Sequence, residues 1–278
     1  MNKMKIKMSR MKSVMAGIFI FLLPFIVSGQ MFFFQDLPVD KTKLGFRYLR
    51  PDFKDVEGLS ILSGVYDFSV SIPVSPKLNI VGSVPFAAIG ADDTETESSI
   101  GNIYVGLQHR LNSGAEKFFS ASLGVFLPTA PEDKPGPMFM GIFTNYYELQ
   151  KYFPNVLTIS GNVAYHRIKS NDFIFGVELG PNIFIPTKDD GETEVYIHYG
   201  LTAGYRFNTV DLKAELVGIG IITEDVDEFG DRFINDLAFG VHWNRGAFRP
   251  GVFYKISLKK DIRDFVRGAF GIKLDVIL

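Results

Sequence analysis

The side chains with the most obvious chemical reach are four histidines, at 109, 166, 198 and 242, and the acidic run Glu224-Asp225-Val226-Asp227-Glu228-Phe229-Gly230. A metal site built on one element needs ligands at close, regular spacing, and neither His-x-x-x-His nor Glu-x-x-His occurs. The acidic run resembles a calcium loop only superficially. Phe229 stands where an EF-hand requires an oxygen ligand, and Asp236 replaces the glutamate at the twelfth position. Ser160 and His166 share one extended segment, but six residues of strand separate them by about 20 Å, too far for a dyad. Gly218-Ile219-Gly220 lacks the third glycine and the helix of a nucleotide fingerprint. No catalytic residue, metal or cofactor is therefore expected, and the chain does not read as an enzyme. Serines on neighbouring strands leave a membrane-embedded hydrolase as a third-ranked reading.

Composition narrows the field further. The 278 residues contain no cysteine, which excludes disulfide scaffolds, zinc-thiolate sites, iron-sulfur clusters and a diacylglyceryl anchor. The 29 basic and 31 acidic side chains leave no basic footprint, so no nucleic-acid partner is expected. Aromatics make up 14%, with 27 Phe and 27 Gly against one Trp. That balance suits a sheet whose one face meets lipid.

The first 29 residues read as a leader. Lys3, Lys5, Lys7, Arg10 and Lys12 form a positive stretch without an acid, and Val14 to Val27 follows without a charge. That apolar run of 14 residues is short of the roughly 20 a spanning helix needs. Small residues in Val27-Ser28-Gly29 mark a cleavage site before Gln30, which implies Sec-type export. Removal of residues 1–29 leaves 249 residues with 24 basic and 31 acidic side chains, a net charge of −7. Residues 30–41 then form a periplasmic N-terminal segment, and 42–278 the folded domain.

What must position the remaining polar side chains is a period of two. Tyr66, Phe68, Val70, Ile72 and Val74 alternate with Asp67, Ser69, Ser71 and Pro73. Val195, Ile197, Tyr199, Leu201, Ala203, Tyr205 and Phe207 oppose Tyr196, His198, Gly200, Thr202, Gly204 and Arg206 in the same way. Such runs extend for about 11 to 13 residues, which matches a tilted membrane strand rather than the 5 or 6 of a soluble sheet. The expected strands are 42–51, 60–74, 77–89, 99–111, 117–128, 155–168, 172–186, 194–207, 210–222, 232–244, 247–258 and 264–278. The fold class is therefore all-β, a transmembrane antiparallel up-and-down barrel of about 12 strands.

The connections support that reading independently. Longer segments near 52–59, 90–98, 129–154, 187–193, 223–231 and 259–263 alternate with tight turns at Ser75-Pro76, Asn112-Ser113-Gly114, Ser170-Asn171, Asn208-Thr209 and Arg245-Gly246. Outer-membrane barrels carry short periplasmic turns and long outer loops, which puts both termini on the periplasmic side. One segment breaks the period: Phe139, Ile142, Tyr146, Leu149 and Phe153 form a helical stripe, so 138–153 is expected to be one short amphipathic helix in an outer loop. Phe270, Ile272, Leu274, Val276 and Leu278 alternate to the end of the chain. A terminal strand of this kind resembles the recognition signal of the outer-membrane assembly machinery, although such signals usually finish in Phe.

Parity then assigns an inward, lumen-lining face: Arg47, Asp67, Gln108, Arg110, Asn162, His166, Glu178, Asn182, His198, Arg206, Lys213, Glu215, Asp236, His242, Arg249, Lys255, Lys273 and Asp275. Mutually paired charges are the first expectation, since an ion away from bulk water needs a partner. A polar constriction that selects solutes is the alternative, and the two overlap. Pro73, Pro85 and Pro181 lack ladder donors and are candidates for local distortion of the wall or for strand ends.

Three stretches, VSPKLNIVGSVPFAAIG, SIGNIYVGLQHRL and FSASLGVFLPTAPEDKPG, together resemble the outer-membrane barrel family associated with the meta-cleavage pathway of phenol degradation. The family's features correspond here to Val84-Pro85-Phe86, Gly101-Asn102 and Pro128-Thr129-Ala130, with Asn and Ala where it typically has Asp and Gly. The resemblance covers residues 74–136. It implies passive passage or binding of a small, hydrophobic or aromatic solute in the bacterial outer membrane, and it supplies no catalytic residues. Two routes stay open, axial diffusion through a polar lumen and lateral delivery through the wall. A structural or adhesive barrel with a plugged lumen is the second reading. Outer-membrane lipid and the assembly machinery are the expected partners.

Overall fold

The computed structural model describes residues 41–278, apart from 55, 57, 92–94, 113–115, 169–171, 189–190 and 224–228. The leader, most of the N-terminal segment and the core of the acidic run at 224–230 lie outside the described residues. The chain forms β1 (Lys43–Phe53), β2 (Gly64–Ser75), β3 (Leu78–Ile89), β4 in two segments (Glu97–Ile100 and Tyr104–Arg110), β5 (Lys117–Phe126) and β6 (Val156–Arg167). It continues through β7 (Phe173–Pro186), β8 (Glu194–Phe207), β9 (Val210–Ile221), β10 (Phe233–Trp243), β11 (Phe248–Ser257) and β12 (Val266–Ile277). Each strand pairs antiparallel with its sequence neighbours, and β1 pairs with β12, which closes a 12-stranded barrel. Closure pairs the first strand with the last, so most backbone donors along the wall are satisfied within the ladder without water.

The alternation is inverted relative to a soluble sheet. On β7, Leu179 is 52% exposed while Glu178 is 2% exposed; on β10, Phe239 is 51% exposed and Ala238 is 0%. Leu44, Phe68, Ile72, Ile80, Leu107, Phe119, Leu201, Val252 and Phe270 continue the exposed apolar belt around the ring. A water-soluble monomer rarely exposes a contiguous apolar patch beyond a few hundred Å². Side chains placed this way match a barrel whose outside meets acyl chains.

Strand bounds fall within a few residues of the periodicity, with local departures. β4 is interrupted at Gly101-Asn102-Ile103, although both of its segments continue the register with β3. The connection after β11 contains a short helix, α2 (Lys260–Phe265), too brief for any periodic signature. The helix expected over 138–153 is not one element. It is α1 (Pro135–Thr144), a break at Asn145, and a 3-10 turn at Tyr146–Lys151. Pro135 and Pro137 sit in the first turn, where a missing N–H costs nothing.

The prolines also sort themselves. Pro73 adjoins a register irregularity between Pro73 and Ser75, and the β6–β7 ladder skips from Ser160↔Asn182 to Val163↔Leu179 beside Pro181. Both are places where a ladder donor is missing.

Candidate functional site

The interior is built by the inward side chains and by the long connection 127–155, which folds back into the barrel. Of the parity-assigned residues, Gln108, Asn162, His166, Glu178, Asn182, His198, Glu215, Asp236, His242, Lys255, Lys273 and Asp275 are buried. Arg47, Asp67, Arg110, Arg206, Lys213 and Arg249 are partly buried. They do not converge on one centre; they divide into networks along the barrel axis.

The middle network joins the wall to the inserted connection. Arg47 on β1 lies opposite Asp67 on β2 and donates to it at 2.9 Å. The same guanidinium pairs with Glu148. Lys151 bridges Glu148 at 2.9 Å and Asp67 at 2.5 Å, so two cations and two carboxylates form one closed cluster. Asn145 adds a hydrogen bond to Glu148, and Tyr147 donates to Glu178 Oε1 at 2.8 Å. Asn162 donates to the other oxygen of Glu178 at 2.8 Å. Burial works against the Glu148 charge, but Arg47 and Lys151 outweigh it and hold the carboxyl well below the usual range. Burial and the nearby Glu178 carboxylate push the Tyr147 hydroxyl up, keeping it a neutral donor.

Above that cluster, toward the long connections, the interior is apolar rather than polar, which parity did not anticipate. Leu49, Val65, Phe184, Val217, Ile219, Ile234 and Phe253 from the wall pack with Met140, Tyr147, Leu149 and Tyr152 of the inserted connection. The buried face of α1 is Pro137, Met140, Gly141 and Thr144, offset from the expected stripe. Phe139 and Phe143 instead form an aromatic rim with Phe53 and Phe265, with centroids 4.4 to 6.3 Å apart. Phe153, the last residue of the expected stripe, is exposed. Gly141 is required here, because a Cβ would lie 2.3 Å from the Tyr152 ring.

The interruption of β4 is the socket for both ends of this connection. Asn102 donates through Nδ2 to the carbonyls of Gln150 at 2.9 Å and Phe153 at 2.7 Å, and its Oδ1 accepts from the Ala130 amide at 2.9 Å. Its own amide donates to the Lys151 carbonyl at 2.7 Å. Thr129 Oγ1 donates to the Gly101 carbonyl at 2.7 Å and accepts from the Ile103 amide at 3.0 Å. The Gly101 amide donates to the Pro85 carbonyl at 2.7 Å. A Cβ on Gly101 would lie 2.2 Å from the Lys151 carbonyl oxygen, so only glycine fits. The three sequence features at 84–86, 101–102 and 128–130 therefore meet in space. Asn102 closes the socket through its side-chain amide, which both donates and accepts.

Below the cluster, at the short-turn end, the interior is charged. Arg206 grips Asp211 through two bonds at 2.6 and 2.7 Å, Asn244 donates to the same carboxylate at 2.6 Å, and Lys213 lies 3.6 Å from it. Lys273 stands 3.4 Å from Asp275. Lys255 pairs with Asp236 at 2.9 Å in a separate pair nearer the long loops. A cavity of about 240 Å³ remains among Arg206, Asp211, Lys213, Asn244 and Asp275. Of the histidines, His166 lies against Phe118 and His198 against Tyr147. Among the described residues no three metal-ligating side chains cluster.

The family described as putative MetA-pathway of phenol degradation matches residues 39–265. The chain belongs to this family. A comparison with curated protein sequences finds no match. Among solved structures, the COG4313 outer membrane channel from Pseudomonas putida F1 is similar at 11% identity and a TM-score of 0.63, covering 90% of this chain and 100% of that one. The NanC porin is similar at 9% identity and a TM-score of 0.50, covering 84% and 98%. The KdgM porin gives 8% identity, a TM-score of 0.50, and coverage of 85% and 99%. At such identities these likenesses speak for the fold, that of outer-membrane barrels.

Sequence reasoning missed Glu148, Lys151, Tyr147 and Asn145. Parity applies only to strands, and these residues lie on a connection. The available signal was compositional, in that Glu148 and Lys151 are the only charged residues in the segment 138–153.

Proposed function

We propose that this member of the family is a bacterial outer-membrane channel that lets a small solute pass or bind inside the barrel, with the connection 127–155 as its internal constriction. The observation that carries the reading is the inversion of the wall: apolar side chains face outward around the ring while charged groups are enclosed. Sec-type export, a lipid surround and assembly through the terminal strand Phe270 to Leu278 belong to the same proposal. The family's description favours a small aromatic or hydrophobic solute. The inward polar residues assigned by parity would line the path, and none of them is assigned a catalytic step.

The near-complete burial of Asn145, Tyr147, Glu148 and Lys151 inside the barrel favours a second reading, a structural barrel closed by its own loop. Reconstitution into planar bilayers separates the two. A channel predicts small but measurable wild-type conductance that rises when Glu148→Ala loosens the constriction. Silence from both proteins, with no uptake defect in a deletion strain, would favour the closed structural barrel.

A further inference from the structure

The ionic networks inside the barrel answer themselves, but the sector of wall from β5 to β8 carries hydroxyl, amide and imidazole groups that do not. Ser122, Thr158 and Ser160 are completely buried, and Asn182 and His198 nearly so. The three hydroxyls and both ring nitrogens of His198 have no hydrogen-bond partner within the protein. Neither has Oδ1 of Asn182.

The ladder sets these groups side by side. Ser160 lies opposite Asn182; Ser122 lies opposite Asn162, two residues along from Ser160; and His198 lies opposite Gly180, two residues along from Asn182. Thr158 shares the inward face of β6 with Ser160. Opposed residues and their diagonal neighbours stand about 5 to 8 Å apart, so the open groups form one strip across the four strands. The inserted connection covers that strip. Tyr147 places its ring 6.4 Å from that of His198, between centroids, and donates its hydroxyl to Glu178.

A buried polar group without a partner costs free energy, and native interiors seldom hold several together. Something outside the chain must therefore serve the strip. A hydroxyl and an imidazole each donate and accept, and an amide oxygen accepts. None of the five side chains carries a fixed charge. An ion would find no counter-charge among them and would forfeit its hydration. Both oxygens of the nearby Glu178 carboxylate are already held, by Tyr147 and Asn162. A bare hydrocarbon would leave the strip as unserved as before.

We propose that this strip is a hydrated site beside the inserted connection, which takes small uncharged solutes that bear a hydroxyl or an amide. The inference deepens the channel reading, on which its meaning for transport rests. Within the small solutes of that reading it favours those that hydrogen-bond over bare hydrocarbons and over ions.

The chain has no cysteine, so single thiols report on the strip directly. The full chain, folded in detergent, is compared as Ser122→Cys, Ser160→Cys, Val217→Cys in the apolar half and Ser75→Cys at an exposed turn. Each is treated with the 2-hydroxyethyl, 2-sulfonatoethyl or 2-trimethylammonioethyl methanethiosulfonate, with rates taken relative to Ser75→Cys and the same reagent. The uncharged reagent should label both strip positions at least tenfold faster than Val217→Cys. It should also outpace either charged reagent there at least tenfold. Heat-dependent gel migration reports whether each variant is folded, and if one serine variant fails to fold the other gives the same readout. Strip thiols as slow as Val217→Cys, or equally open to the charged reagents, would overturn the proposal. Labelling does not depend on conduction. A conducting barrel with unreactive strip thiols would sink the site alone, and a barrel silent in bilayers with reactive ones would sink the channel reading alone.

Discussion

The two halves of the barrel interior solve the same problem by opposite means. Toward the long connections the space is filled with the chain's own hydrocarbon, as Met140, Leu149 and Tyr152 pack on Leu49, Phe184 and Phe253. Toward the short turns it is left partly open and lined with ions around a cavity of about 240 Å³. Between them, Arg47, Asp67, Glu148 and Lys151 fasten the filler to the wall. The difference teaches that inward parity does not by itself mean polar. A strand face needs only a partner, and a connection long enough to fold back can supply an apolar one.

The largest effect should come from mistaking the outside for the inside. Phe68→Asp places a charge on the lipid-facing belt, where Phe68 is half exposed, and should prevent assembly, read as loss of the heat-modifiable band. Asp67→Leu, one residue away, should leave the barrel assembled while weakening the grip on Lys151 and Arg47. Equal tolerance of the two would break the comparison at its root.

Next is the fastening itself. Glu148→Gln leaves two buried cations short of a carboxylate and should cost about 3–5 kcal/mol of loop docking. Limited proteolysis within 127–155 should show faster cleavage while the barrel band persists. Acid should act likewise on the wild type. Because the folded Glu148 carboxyl is held below its unfolded value, its contribution is fully present above the unfolded value near 4.3. It is lost as pH falls from there through the folded value. Loop cleavage should therefore be flat across neutral pH and rise only below about pH 4, more steeply in the wild type than in Glu148→Gln, where Asp67 alone remains to be protonated.

In the apolar half, Met140→Ala should cost about 2–5 kcal/mol, because Met140 is completely enclosed and the cavity it leaves is walled by the barrel. This variant should loosen the loop without the acid dependence, which separates hydrocarbon packing from the ionic fastening. The smallest effect belongs to the rim. Lys134 meets Glu97 at 3.1 Å with both side chains about 40% exposed, so Lys134→Ala should cost under about 1 kcal/mol and leave cleavage nearly unchanged.

The strands were legible because membrane strands repeat every two residues for longer than soluble ones, and Phe68 or Leu179 names its own side. The inserted loop was only half legible. Its aromatic and apolar spacing announced a helix, but the break at Asn145 and the inward turn of Glu148 depend on Arg47, 101 positions away in the chain. No local pattern reports such a partner. Gly101-Asn102 stood out only as a family feature within a strand expected to run unbroken over 99–111; the interruption and its use as a socket appear only when Thr129, Ala130, Gln150 and Phe153 are brought to it. The helix at Lys260–Phe265 was too short to leave a period at all.

The most direct test uses the absence of cysteine, which makes single-site spin labelling of β2 straightforward. Labels placed one at a time at positions 66 to 72, in protein reconstituted into bilayers, should show oxygen collision maxima at 66, 68, 70 and 72. Positions 67, 69 and 71 should give minima. A flat profile, or maxima at the odd positions, would contradict an apolar face turned toward lipid.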